Sequence, residues 1–277
     1  MSHLHKPLIL TAILFALIGG RALLATLFPV PRTFDLRDTL IVIVALWAMC
    51  RDVPTLQRRD WVLAIGAGLV VGLTMPLTTL FSPYPFFGII DSAPAQGLLR
   101  GLFTAVTMLG GLVFMRQGGP VRCQLTAGDW RGASQCILWG TAIGVSFALV
   151  NIIGLQLIQH QPIQWQSPVA AMMDALQPAL VEETLYRVTL WGWVWQRWRS
   201  QPPAQTIWLA GLLATLAHSY AHIDDLWLQA PLIGLGIGAA LALIWGTPAL
   251  LLVRYRGLEA AIAFHWMQDV ARFVTGF

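Results

Sequence analysis

Charge is what this chain of 277 residues has least of. Charged residues make up 11% of it and apolar residues 57%, where soluble domains carry about 25% charged residues. So few charges cannot cover a water-facing surface. The composition therefore excludes a soluble globular domain and reads as an integral membrane protein. Lysine is nearly missing, with Lys6 alone, and glutamate is confined to Glu182, Glu183 and Glu259. The net charge of +4 comes from arginines in short loops between apolar runs. That is how a membrane protein encodes its orientation, and not a nucleic-acid-binding surface. The three cysteines, Cys50, Cys123 and Cys136, lack metal-type spacing. They fall near segment ends placed on the cytoplasmic side, so reduced thiols are expected. There is no internal repeat, low-complexity tract or linker.

What is present is a series of apolar stretches near the roughly 20 residues that a spanning helix needs. They run over 7–28, 35–50, 61–81, 98–116, 135–157, 169–196, 205–222, 228–251 and 257–275. The expected fold is all-α: a polytopic transmembrane helical bundle of about eight spans. One integral membrane domain covers 1–277, with N-terminal spans over 1–165 and the chemistry-bearing helices over 166–277. Met1 to about Phe28 resembles a signal peptide. Its apolar stretch runs past Arg21 to Pro29 without a clean small-residue cleavage site, so it reads as an uncleaved first span. The segment 228–251, with Pro231 and Pro248 near its ends, is the one expected to be broken or re-entrant. Gly234, Gly236 and Gly238 allow close helix approach.

Arginines alternate between loops. Arg51, Arg58 and Arg59 fall in one, and Arg116, Arg122 and Arg131 in the next but one. Arg197 with Arg199, then Arg254 with Arg256, follow, while 82–97, 158–168 and 223–230 hold no Lys or Arg. Arg32 and Arg37, diluted by Asp35 and Asp38, and Arg100 are exceptions; the pattern places the N-terminus in the cytoplasm. The predominance of Arg over Lys points to a bacterial inner (cytoplasmic) membrane. Trp191, Trp195 and Trp198 recur beside Arg197 and Arg199 and are expected to form an aromatic belt at the interface. Within the N-terminal spans the polar residues are mainly Arg21 and Arg100.

Three polar islands interrupt the last third. They are Glu182-Glu183-x-x-x-Arg187, His218-x-x-x-His222 and His265-x-x-x-Asp269. Ionisable residues inside a membrane are costly and mark functional sites. Glu183 and Arg187 are four apart on one helical face and can neutralise each other. Glu182 points about 100° away around the helix and has no local cation. It must find a partner on another helix or take up a proton, as a general base does. Pro178, four residues earlier, removes the helical bond to the Asp174 carbonyl and kinks the helix or starts it afresh. The bland alternative is a structural polar network gluing helices together. Three islands on neighbouring helices favour a single shared site.

The islands resemble the CAAX-protease and bacteriocin-processing group of intramembrane endopeptidases, also called the CPBP or Abi family. Its pattern is E-E-x-x-x-R, then F-x-x-x-H, then H-x-x-x-N. The first motif is complete as Glu182, Glu183 and Arg187. The second is His218, with Ala214 where the aromatic stands. The third is His265, with Asp269 in place of Asn. The resemblance covers about 170–275.

The resemblance implies an eight-helix intramembrane protease that hydrolyses a peptide bond of a membrane-associated peptide or protein. Glu182 and His218 would activate the attacking water. His265 and the residue at 269 would support the oxyanion. An ionised Asp269 cannot donate a hydrogen bond, so it must be protonated, orient His265 or pair with Arg272. No cofactor is preferred. Zinc is the alternative, through Glu182, His218, His222 and His265, although the H-E-x-x-H signature is absent. The rival functions are a proton-coupled membrane transporter and a catalytically inactive scaffold or immunity protein.

Overall fold

The computed structural model describes residues 33–52, 55–80, 85–160, 162–199, 203–223, 226 and 229–276. The expected first span, 7–28, and the residues Asp224 and Asp225 lie outside them. The described residues are helical with no strand. The helices are α1 Thr33–Asp52, α2 Arg58–Thr74, α3 Ala93–Arg116, the short α4 Gln124–Ala127 and α5 Trp130–Gln159. Next come α6 Pro168–Asp174 and α7 Leu176–Glu182, then a π-helical stretch Glu183–Leu190 that runs into α8 Trp191–Trp198. They are followed by α9 Pro203–Ala221, α10 Pro231–Leu241, a π turn Ala242–Gly246, α11 Thr247–Tyr255 and α12 Leu258–Thr275. Four of these are long and apolar enough to cross a membrane: Arg58–Leu77, Ala93–Arg116, Trp130–Ile158 and Pro231–Tyr255.

Short-range chemistry sets the helix starts. The Asp129 carboxylate accepts from the Gly132 amide at the start of α5. Ser167 does the same for α6, with Pro168 behind it, where the missing N–H costs nothing. Pro231 opens α10 in the same way. Pro248 does not break the following segment. The π turn before it absorbs the lost hydrogen bond, and the Thr247 hydroxyl donates to the Ala242 carbonyl at 3.0 Å. The segment expected to be broken is therefore one continuous helix, Pro231–Tyr255.

Close helix packing depends on missing side chains. A Cβ on Gly68 would lie 2.6 Å from the Gly101 carbonyl oxygen, and a Cβ on Gly101 would lie 2.6 Å from that of Gly68. That pair lets α2 and α3 touch backbone to backbone. Gly140 and Gly144 do the same between α5 and α12. Gly238 lies against the Tyr220 ring, whereas Gly236 faces open space. At the heart of the core sits Trp191, fully buried among Met108, Leu112, Ala214, Leu250 and Ala261. Its indole N–H donates to the Ile207 carbonyl. The belt expected for Trp191, Trp195 and Trp198 thus does not include Trp191, because Gly211 on α9 leaves a slot for its ring. Trp195 and Trp198 are half-buried.

Candidate active site

The helix restarts at Leu176, so Pro178 lies in the first turn of α7. Five residues later the chain enters the π-helical stretch. Such stretches are rare and recur at functional sites. Threonines tie this one to α3. The Thr189 hydroxyl donates to the Thr107 carbonyl at 2.6 Å, and the Thr184 and Thr107 hydroxyls lie 3.1 Å apart. Glu182 and Glu183 sit at its mouth.

The three sequence islands meet there. One oxygen of Glu182, Oε2, lies 2.6 Å from His218 Nε2, 3.5 Å from His222 Nε2 and 3.8 Å from His265 Nε2. The partner that Glu182 lacks on its own helix is thus supplied by α9 and α12. His265 Nδ1 lies 3.1 Å from Glu183 Oε1. The Glu183–Arg187 pair forms as expected, at 3.6 Å between Oε2 and Nε, with both side chains 1% exposed. At that length it is a charge contact and not a hydrogen bond. Asp269 lies between His265 Nε2, at 3.5 Å, and Arg272 Nη1, at 3.3 Å.

Arg187 does more than neutralise Glu183. Its Nη1 donates to the Thr215 hydroxyl at 3.2 Å, and its Nη2 lies 3.3 Å from His218 Nδ1. A guanidinium has donors and no acceptor. His218 Nδ1 must therefore accept, which puts the ring proton on Nε2, facing Glu182. The other side of the imidazole is covered by Tyr186, stacked at 4.8 Å and 19°. Ala214 supplies no aromatic, and Tyr186 is the ring that packs on the histidine.

Glu182, Glu183, Arg187, His218, His222, His265 and Asp269 all line one cavity of about 630 Å³. Four consecutive lining positions of α12, His265, Gln268, Asp269 and Arg272, follow the spacing of a single helical face. The backbone of α12 at Ala260 and Phe264 packs on the glycines of α5, and Phe264 also lines the cavity. Asp38 and Arg100 also line the cavity. The Tyr186 hydroxyl lies 3.4 Å from Asp38 Oδ1, and Arg37 donates to the Ala217 carbonyl beside His218.

The N-terminal half therefore contributes more buried polar structure than Arg21 and Arg100 alone promised, since Asp35, Arg37 and Asp38 are buried. Tyr186, Asp38 and Gln268 are among the cavity or site residues that sequence reasoning missed. Only the i, i+3, i+4, i+7 stripe on α12 signals one of them. Of the four zinc candidates, Glu182, His218 and His222 bring ligand atoms within 4.8 Å of one another. His265 is turned by Glu183 and stands outside that group.

Residues 164–271, which carry all three islands, match the family described as Type II CAAX prenyl endopeptidase Rce1-like. Over this segment the chain is similar to the CAAX protease family. No curated protein and no solved structure matches the chain. The CAAX protease family is one of membrane proteases, and the apolar helices agree: the protein is an integral membrane protein.

Proposed function

We propose that the protein is an intramembrane endopeptidase that hydrolyses a peptide bond of a membrane-associated protein or peptide with a water activated by Glu182. The observation that carries this reading is the gathering of His218 and His265 around one carboxylate oxygen of Glu182, in a cavity among apolar helices.

The roles divide by where protons sit. His218 donates from Nε2 to Glu182 and receives from Arg187 at Nδ1, so it holds the carboxylate in place. Glu182 is then the base. The water oxygen attacks the carbonyl carbon and its proton passes to Glu182. The carbonyl electrons move onto oxygen, and when they return, the C–N bond breaks. Glu182 hands the proton to the leaving amine. Donors aimed at the transient oxyanion contribute about 3 kcal/mol each. His265 donates a hydrogen bond from Nδ1 to Glu183 and turns Nε2 into the cavity, where the imidazolium form carries the second N–H that serves the oxyanion. Asp269 has no donor to offer as an anion. Its place between His265 and Arg272 supports the role of orienting the imidazole.

The chemistry runs without a metal in this reading. Zinc on Glu182, His218 and His222 would take the Nε2 lone pair of His218. The ring proton would move to Nδ1 and face the Arg187 N–H. Metal-bound histidines hand that proton to an acceptor, and Arg187 is none.

The test uses the protein in liposomes with an internally quenched peptide ending in a farnesylated CAAX sequence, chosen because the family description reads CAAX prenyl endopeptidase. Glu182→Gln is expected to lower cleavage by about 10²–10⁴-fold. Chelators are expected to leave the wild type active. Wild-type rates in Glu182→Gln would remove the glutamate mechanism. Chelator-sensitive cleavage restored by zinc would replace the metal-free route.

A further inference from the structure

The cavity face of α12 offers four polar side chains, and three are already committed. His265 is held by Glu183, while Asp269 and Arg272 hold each other. Gln268 is the exception. It is 5% exposed and lines the cavity with Glu182 and His265. Neither its Nε2 nor its Oε1 has a hydrogen-bond partner among the described residues. A buried primary amide left unsatisfied on both atoms costs stability. A glutamine with both ends of its amide unmet, on a helix face whose other polar groups are paired, therefore calls for a ligand.

The amide has one donor end and one acceptor end, side by side. A peptide backbone presents the complement: a carbonyl oxygen and an N–H. Arginine or a carboxylate would offer only one of the two. Gln268 also stands one helical turn from His265 on the same face, beside the position of the bond to be cut.

Building on the hydrolase reading, we propose that Gln268 is a substrate-binding residue that clamps the peptide backbone within the cavity. Its Nε2 donates to a carbonyl of the bound chain and its Oε1 accepts from an N–H. Asp269 cannot fill this part, because it carries no donor and is engaged by Arg272.

The experiment measures binding apart from turnover. A fluorescent farnesylated CAAX peptide is titrated into the Glu182→Gln protein in detergent micelles, with and without Gln268→Met. The added substitution is expected to raise Kd by about tenfold or more, for the loss of two hydrogen bonds. Gln268→Asn, which keeps the amide, should recover part of that loss. In otherwise wild-type protein, Gln268→Met should raise KM more than it lowers kcat. Its Tm should hold or rise, because an orphan amide has been replaced by an apolar chain of similar volume. Equal Kd values for the two proteins, or no binding by either, would overturn the assignment. So would a fall in Tm with KM unchanged, which marks a structural amide. Protein that binds the peptide through Gln268 without cleaving it would leave this assignment standing and remove the hydrolase reading instead.

Discussion

A buried arginine that touches both a carboxylate and an imidazole does two separable things. Arg187 balances the charge of Glu183 and dictates which nitrogen of His218 holds the proton. Lysine keeps the charge but is a compact point donor that lacks the planar fork, so it cannot reach Thr215 and His218 together. Arg187→Lys should leave the fold intact, lower peptide cleavage by about tenfold and change the shape of the pH–rate profile. The change follows because His218 is then free to carry its proton on either nitrogen. Arg187→Met is a different lesion. It strips the partner from Glu183, and breaking a buried pair costs about 3–5 kcal/mol, so Tm should fall sharply. Arg187→Lys with an unaltered rate and profile would show that the contact to His218 has no catalytic consequence. At this scale the sequence was informative where charge stood against an apolar background: Glu182, Glu183, Arg187, His218 and His265 announce themselves. Gln268 and Tyr186 do not, because an amide or a phenol within a helix looks ordinary until its surroundings are known.

At the scale of elements, α12 carries the histidine, the glutamine and the aspartate, and α5 holds α12 in place. That contact depends on Gly140, where a Cβ would overlap the Ala260 carbonyl oxygen, and on Gly144, where it would lie 3.0 Å from the Phe264 carbonyl. Neither obstacle is a flexible side chain, so the helices would have to separate. Gly140→Ala should cost about 1–3 kcal/mol and lower activity with it, by carrying His265 away from Glu182. Gly154, on the same helix, has nothing within 4 Å of its virtual Cβ. There alanine should be neutral or stabilise by up to about 1 kcal/mol. Thermal melts and cleavage rates of the two variants give the comparison, and equal behaviour would mean that the α5–α12 contact does not position the site. The helices themselves were legible from apolar runs and proline placement. The π stretch was not, because it depends on threonine contacts from α3, about eighty residues away in the chain. Nor was the burial of Trp191, which depends on the slot left by Gly211.

The whole molecule has two chemically distinct ends. At one, the Arg116 guanidinium grips Asp60, and Arg59 donates to the Ala127 carbonyl. Also there, Arg254 donates to the Pro120 carbonyl, and Arg197 stacks over Trp47. The four arginine-bearing loops recognised in the sequence thus come together. At the other end, Asp35 accepts from the Phe87 amide and Asp174 from those of Thr79 and Leu80. There the Gln164 amide donates to the Thr275 carbonyl. Leu155, Gln177, Arg272 and Phe273, which line the cavity, all lie within a few turns of that second end. If positive charge stays on the cytoplasmic side, the cavity faces the other side. Thiol labelling in intact cells tests this. Cys50 is exposed at the basic end and should resist a membrane-impermeant maleimide until the cells are opened. Cys123 should stay silent throughout, since burial and then the nearby Glu259 push its thiol up to about 12, which leaves almost no thiolate at pH 8. Ile89, in the loop before α3, is 80% exposed. A cysteine placed there by Ile89→Cys should react at once from outside. The reverse pattern would turn the protein over and bring its substrate from the cytoplasm.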